Sequence, residues 1–240
     1  MFRHTGRRRT YRHNLRLASM LSFVSGIVNI TGLLSIGTLT TNITGHFAFF
    51  SEEITKSSYW SALLYLFYIF SFLLGAFASN IIMELLLSRK KSTSYAAPIF
   101  IEMMLLAAVG YFLDFPAVPE ETFLIAGALL FAMGLQNALV TKVSGSVVRT
   151  THLTGVFTDL GIELSLLFFR NNNEIKVLKK SIFLKLVIVL FFLVGGIMGG
   201  LMFTRIGGET LLVGCLCLAF ASFYDYFRLQ YYALRRKQSR

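Results

Sequence analysis

Cysteine and charge are both scarce in this chain. It has two cysteines in 240 residues, and only 15% of its residues are charged. Cys215 and Cys217 lie two positions apart in one apolar stretch, where a helix points them in different directions. That spacing excludes a disulfide framework, offers no metal-ligand set, and leaves both as small packing residues. Catalytic signatures are missing as well. There is no Gly-x-Ser-x-Gly, no His-Glu-x-x-His, no phosphate-binding glycine loop with lysine and no paired-cysteine redox motif. The expectation is a protein that is not an enzyme and uses no cofactor.

What is present is apolar. Hydrophobic residues make up 55% of the chain, 24 of them are phenylalanine, and the mean hydropathy is +0.65. A soluble domain cannot hide that much apolar surface. Six long apolar stretches, at about 15–36, 59–87, 95–113, 122–140, 181–203 and 209–227, each exceed the ~17 residues a helix needs to cross hydrocarbon. One membrane domain over 1–240 is expected, with no second folded domain. The net charge of +11 gathers at the ends. Arg3, Arg7, Arg8, Arg9, Arg12 and Arg16 lie in a tail over 1–16, and Arg228, Arg235, Arg236, Lys237 and Arg240 in a tail over 228–240. Such tails act as a positive-inside signal and touch anionic lipid headgroups, so a bilayer partner is expected and nucleic acid is not. The apolar stretch after Arg16 is too long for a cleaved signal peptide and has no small-residue cleavage site.

The chain also repeats itself. TTNITGHFAFFSEEI at 40–54 aligns without gaps on TTHLTGVFTDLGIEL at 150–164. Thr40, Thr41, Thr44, Gly45, Phe47 and Glu53 meet Thr150, Thr151, Thr154, Gly155, Phe157 and Glu163. Gly26 to Asn29 precedes the first phrase as Gly134 to Asn137 precedes the second, and Phe72–Gly75 follows as Phe192–Gly195 does. If neither phrase crosses, the basic N-terminus, Arg89–Lys91, Lys142 with Arg149, the loop 170–180 and the basic C-terminus all fall inside. The acidic loop 114–121 then falls outside, as the positive-inside rule asks. If both phrases cross, Arg89–Lys91 moves outside and 114–121 inside. The reading is six spans in two inverted halves, about 15–115 and 122–227. The phrases enter from opposite faces as broken or half-inserted helices, and both termini are cytoplasmic in an inner or plasma membrane.

Backbone at mid-membrane must be hydrogen-bonded or line a polar cavity. Thr-x-x-Thr-Gly serves both needs, because threonine caps a helix start and glycine lets a ligand approach closely. Helix starts of this kind aim N–H groups at an anion or polar group. The expected substrate site pairs Thr41, Asn42, Thr44 and Gly45 with Thr151, His152, Thr154 and Gly155 across a pseudo-two-fold axis. Asn29, Gln136 and Asn137 add neutral hydrogen-bonding groups. Glu53, Glu102, Asp159 and Glu163 are the candidates for ion or proton handling, since acids inside membranes are expensive. His46 and His152 can titrate near neutral pH or serve as hydrogen-bonded structural residues, and Arg149 can neutralise an anion or anchor the chain inside. Threonine and glycine also serve plain helix packing, which is the role expected of Gly195, Gly196, Gly199 and Gly200 and open to Gly75 and Ser79.

The phrases carry a family resemblance. Gly37 through Thr44-Gly45, Gly134-Leu135-Gln136-Asn137-Ala138, Arg149-Thr150-Thr151, Leu153-Thr154-Gly155 and Thr158-Asp159 make the chain similar to the YoaK-like membrane proteins, the family called domain of unknown function 1275. That family usually carries Asp where this chain has Asn29, and Asn where it has His46 and Val156. The resemblance implies a multi-span inner-membrane protein and supplies no activity.

Together these readings predict an all-α polytopic bundle and a permease for a small polar or anionic solute. The rivals are a channel-like or efflux pore and a non-transporting scaffold or lipid-binding accessory protein. A homo-oligomer is compatible with each.

Overall fold

A computed structural model describes residues 10–88, 95–113 and 122–223. Every regular element in it is helical. They are α1 (Tyr11–Ile36), α2 (Ile43–Thr55), α3 (Tyr59–Ser88), α4 (Ala96–Phe112), α5 (Thr122–Ser144), α6 (Leu153–Leu166) and α7 (Asn172–Ile206). A 3-10 turn at Gly207–Glu209 leads into a last helical stretch over 210–223. The tails expected at 1–16 and 228–240 fall wholly or largely outside the described residues, as do Arg89–Lys91 and the acidic loop 114–121.

Four helices are long and apolar enough to cross a membrane: α1, α3, α5 and the continuous run Asn172–Phe223. The 17-residue α4 is apolar but shorter. An all-helical membrane bundle is consistent with this set. Burial divides the long helices into two kinds. Within their most apolar windows α1 and α5 are each 61% buried, whereas α3 and the run from Asn172 are each 22% buried. The centre is therefore α1 and α5, with α3 and α7 outside them. Large exposed apolar side chains, among them Phe70, Phe77, Leu190 and Ile197, crowd the outer helices. Water tolerates no such belt, and lipid tails do.

Glycine fixes which helices touch. A Cβ placed on Gly26 of α1 would sit 2.2 Å from the Phe192 carbonyl oxygen, and one on Gly195 of α7 2.1 Å from that of Phe23. The same seam joins α3 and α5. There a Cβ on Gly134 would sit 2.2 Å from the Phe72 oxygen, and one on Gly75 2.1 Å from the Phe131 oxygen. Backbones this close admit no side chain, and such small-residue seams are how helices pack where lipid removes the hydrophobic drive between them. Gly195 and Gly199 take the packing role expected of them, while Gly196 and Gly200 make looser contacts. The seams cross the two sequence halves: α1 packs on α7, and α5 on α3.

Three boundaries differ from the sequence reading, the first being α1, which begins at Tyr11, inside the segment 1–16 expected as a tail. The segment 170–180 is not a loop, because α7 begins at Asn172. Its lysines are good helix formers, and Glu174 lies 3.7 Å from Arg170 at i,i+4 spacing. Polarity placed this stretch outside the apolar run without excluding helix. Similarly, α5 continues past 140 to Ser144.

Candidate functional site

Each repeated phrase begins where a central helix stops. α1 ends at Gly37 (φ 67°) and α5 is followed by Gly145 (φ 63°). Nothing lies within 4 Å of a Cβ at either position, so it is the left-handed backbone that favours glycine there. The chain then turns back toward the helix it has left. Thr41 donates from its hydroxyl (2.9 Å) and backbone N–H (3.2 Å) to Asn29 Oδ1 on α1. Thr151 donates from its hydroxyl (2.8 Å) to Asn137 Oδ1 on α5. The same asparagine–threonine latch thus occurs twice, at corresponding positions.

The helix that follows each latch starts differently. Asn42 caps α2 by accepting from Gly45 N–H at 3.0 Å. Its counterpart His152 is exposed and makes no side-chain cap. A Cβ on Gly155 would lie 3.2 Å from His152 Nδ1. Four positions after each cap residue the halves diverge again. His46 is buried against Tyr65 and Tyr68, with Nε2 2.8 Å from the Leu39 carbonyl oxygen. A carbonyl only accepts, so Nε2 carries the proton. Val156 stands at the corresponding place in α6.

Gln136 is the polar link between the central helices. Its Nε2 lies 2.6 Å from Ser25 Oγ and 3.1 Å from the Leu21 carbonyl, both on α1, and 3.4 Å from Thr150 Oγ1. Ser25 also donates to Leu21 O at 2.9 Å. All of this is buried, and Gln136 Oε1 has no partner, nor do the buried hydroxyls of Ser22, Thr31 and Thr40. Unpartnered buried polar atoms are costly in a packing core and fitting in a site that receives a polar guest.

The sequence candidates separate in the fold. Asn29 with Thr41 and Asn137 with Thr151 form two separate latches, one on each central helix. Asn137 also lines a groove between α3 and α5, while Gln136 reaches across to the other central helix. Asn42, Thr44, His152 and Thr154 are exposed, and Thr154 contributes a carbonyl to Thr158 within α6. Among the described residues no hydrogen bond joins one phrase to the other; each is latched to its own half. Of the acids, Glu102 on α4 is fully buried with both carboxyl oxygens unpartnered. Glu163 accepts from Lys185 Nζ and Ser181 Oγ, each at 2.7 Å, which ties α6 to α7. Glu53 is near the surface, 3.4 Å from Lys56, and Asp159 is exposed. Lys56, in the turn after α2, has its ammonium pKa raised above the usual range by its hydrogen bond to Glu52. Among the described residues no three acids, histidines or cysteines gather as metal ligands.

Sequence reasoning missed Ser25, Thr31, Ser181 and Lys185. Ser25 and Thr31 carry a weak signal, a hydroxyl inside an apolar stretch, and Lys185 a stronger one, a cation inside the apolar stretch 181–203. A family model described as protein of unknown function (DUF1275) matches residues 17–224. No curated protein and no solved structure gives a significant match.

Proposed function

We propose that this chain, which belongs to the DUF1275 family, is a permease that carries a small polar or anionic solute through a site beside the α1–α5 contact. On this reading six segments cross the membrane: α1, α3, α4, α5, α7 and 210–223. α2 and α6 enter part-way from opposite faces, and both termini are cytoplasmic. The observation that supports it is the doubled latch, Asn29–Thr41 and Asn137–Thr151, set where the central helices end and next to unpartnered buried polar atoms. Packing alone does not call for a polar turn built twice at corresponding places. Inverted repeats commonly place solute sites where interrupted helices from the two halves converge near the midplane.

The helix pairs suggest the moving parts. α1 with α7, and α3 with α5, are each joined backbone to backbone, so each pair moves as a unit. Gln136 bridges the units through neutral hydrogen bonds that a small rotation breaks and remakes. Glu102 is the acid placed to exchange a proton with such a motion, because it is enclosed and has no partner at rest.

Reconstituted full-length protein tests this. Proteoliposomes offered a panel of labelled polar and anionic solutes take up at least one, and Asn29→Ala with Asn137→Ala lowers uptake at least ~10-fold. The absence of flux for every solute overturns the permease. Flux that rises with voltage and never saturates makes the protein a channel instead.

A further inference from the structure

The two glycine seams are alike in backbone and unlike at one end. Where α3 meets α5 the seam opens into a groove of about 530 Å³ near the ends of both helices. Ala76 and Ala138 give it an apolar part, while Asn80, Lys142 and Ser146 give it a polar one. Lys142 Nζ donates to Asn80 Oδ1 at 2.7 Å and pairs with Glu84 on α3. In the register set by the glycine contacts, the α1–α7 seam has Gly200 in place of Asn80, Thr204 in place of Glu84 and Leu34 in place of Lys142. That seam closes without any charge. The Glu84–Lys142 pair is therefore not a requirement of the packing.

Its surroundings indicate the occupant. The groove lies on the outer helix α3, beside the exposed side chains of Phe77, Ile81 and Leu85. A ligand seated there is apolar along the helix and polar at its end. The polar end offers the Lys142 ammonium and the Ser146 hydroxyl, and the exposed Glu84 stands at its rim as the partner of Lys142. A phosphate suits Lys142 and Ser146. A primary ammonium suits Glu84, which accepts its N–H bonds. An anionic glycerol headgroup leaves Glu84 facing negative charge, and a choline ammonium has no N–H to donate.

We propose that the α3–α5 groove seats a zwitterionic phospholipid with a primary-amine headgroup, its phosphate on Lys142 and Ser146 and its ammonium on Glu84. This rests on the bilayer location. Asn137 of the second latch also lines the groove, but the test reads lipid retention and not flux, so an absence of flux leaves the proposal standing.

Full-length protein is purified from mixed micelles holding equal amounts of ethanolamine, choline and glycerol phospholipids, and the retained lipids are counted by native mass spectrometry. The wild type retains the ethanolamine lipid at least about fivefold over the other two. Lys142→Leu abolishes that enrichment. Glu84→Thr abolishes discrimination against choline. Both substitutions install what the α1–α7 seam already carries, and both side chains reach the surface, so helicity and elution volume stay unchanged. Ser146→Ala gives a smaller loss in the same direction. Equal retention of all three lipids by the wild type overturns the proposal. So does a preference for the glycerol lipid, or enrichment that Lys142→Leu and Glu84→Thr leave untouched.

Discussion

Gln136 Nε2 lies 2.6 Å from Ser25 Oγ, so the side chain that follows the Gly134 contact on α5 also holds α1. One residue therefore links the two tightly packed helix pairs. The contact is buried, and Ser25 keeps its bond to Leu21 when Gln136 is removed.

That arrangement separates stability from activity. Gln136→Leu leaves no new unpaired donor at Ser25, so it costs only about 0.5–1.5 kcal/mol, the net worth of a lost hydrogen bond. Uptake in proteoliposomes falls far more than this stability loss explains. Gln136→Glu places an acid among neutral partners and lowers the melting temperature in detergent further than Gln136→Leu does. If the leucine variant transports like wild type, Gln136 is packing alone.

The glycine seams give a sharper test of the fold. Gly75→Ala and Gly195→Ala each drive a methyl into a backbone carbonyl 2.1 Å away, which a side-chain rotation cannot relieve. Each variant loses several kcal/mol or fails to accumulate, and the two losses are alike because the seams are alike. Gly161→Ala on α6 is the control: nothing lies within 4 Å of its Cβ, and alanine favours helix, so stability holds or rises slightly. Thermal melts of the three variants in one detergent decide this. A tolerated Gly195→Ala beside a damaging Gly161→Ala contradicts the helix pairing.

Much of this was legible in the residues, and the limits are instructive. The phrase 40–54 with 150–164, and the order of glycines around it, point to corresponding packing because glycines in one common order mark where two pairs of apolar helices can approach closely. Which threonine matters was not legible. Thr44 and Thr154 stand out as the Thr of Thr-Gly, but they fall on the exposed side of α2 and α6, while the preceding Thr41 and Thr151 turn back to asparagine. The face of a 13- or 14-residue helix depends on what packs beside it, which a single sequence does not state. Glu163 poses the same difficulty. Its partner Lys185 is 22 positions away on the next helix, and only the α6–α7 contact brings them together.

The doubled latch predicts a doubled energy. Asn29→Ala and Thr41→Val, alone and together, form a double-mutant cycle, and Asn137→Ala with Thr151→Val forms its counterpart. Each cycle gives a coupling of roughly 0.6 kcal/mol, with ~1.7 as the upper end, the range measured for hydrogen bonds between membrane helices. The two couplings are alike, because Thr41→Val keeps the backbone N–H and each cycle reads one hydroxyl bond. Asn29→Ala alone is the costlier single change, since Asn29 accepts from both the hydroxyl and the N–H of Thr41. Couplings read from chemical unfolding in mixed micelles check both. Zero coupling in both cycles means the latches are incidental.

The turns after α2 and α6 decide the orientation of the halves. Lys56 follows α2 and Arg170 follows α6, and both side chains are exposed. If the halves are inverted, these turns lie on opposite sides of the membrane, with Lys56 outside and Arg170 in the cytoplasm. Lys56→Cys and Arg170→Cys are made separately in a background where Cys215 and Cys217 are alanine, since both native thiols are only partly buried. A membrane-impermeant maleimide added to intact cells labels Lys56→Cys and spares Arg170→Cys. After the membrane is opened with detergent, both are labelled. Arg170→Cys labelled from outside together with Lys56→Cys means that the second half enters the membrane in the same sense as the first. The latches would then open to one side, and a carrier that offers its site alternately to two faces would lose its structural basis.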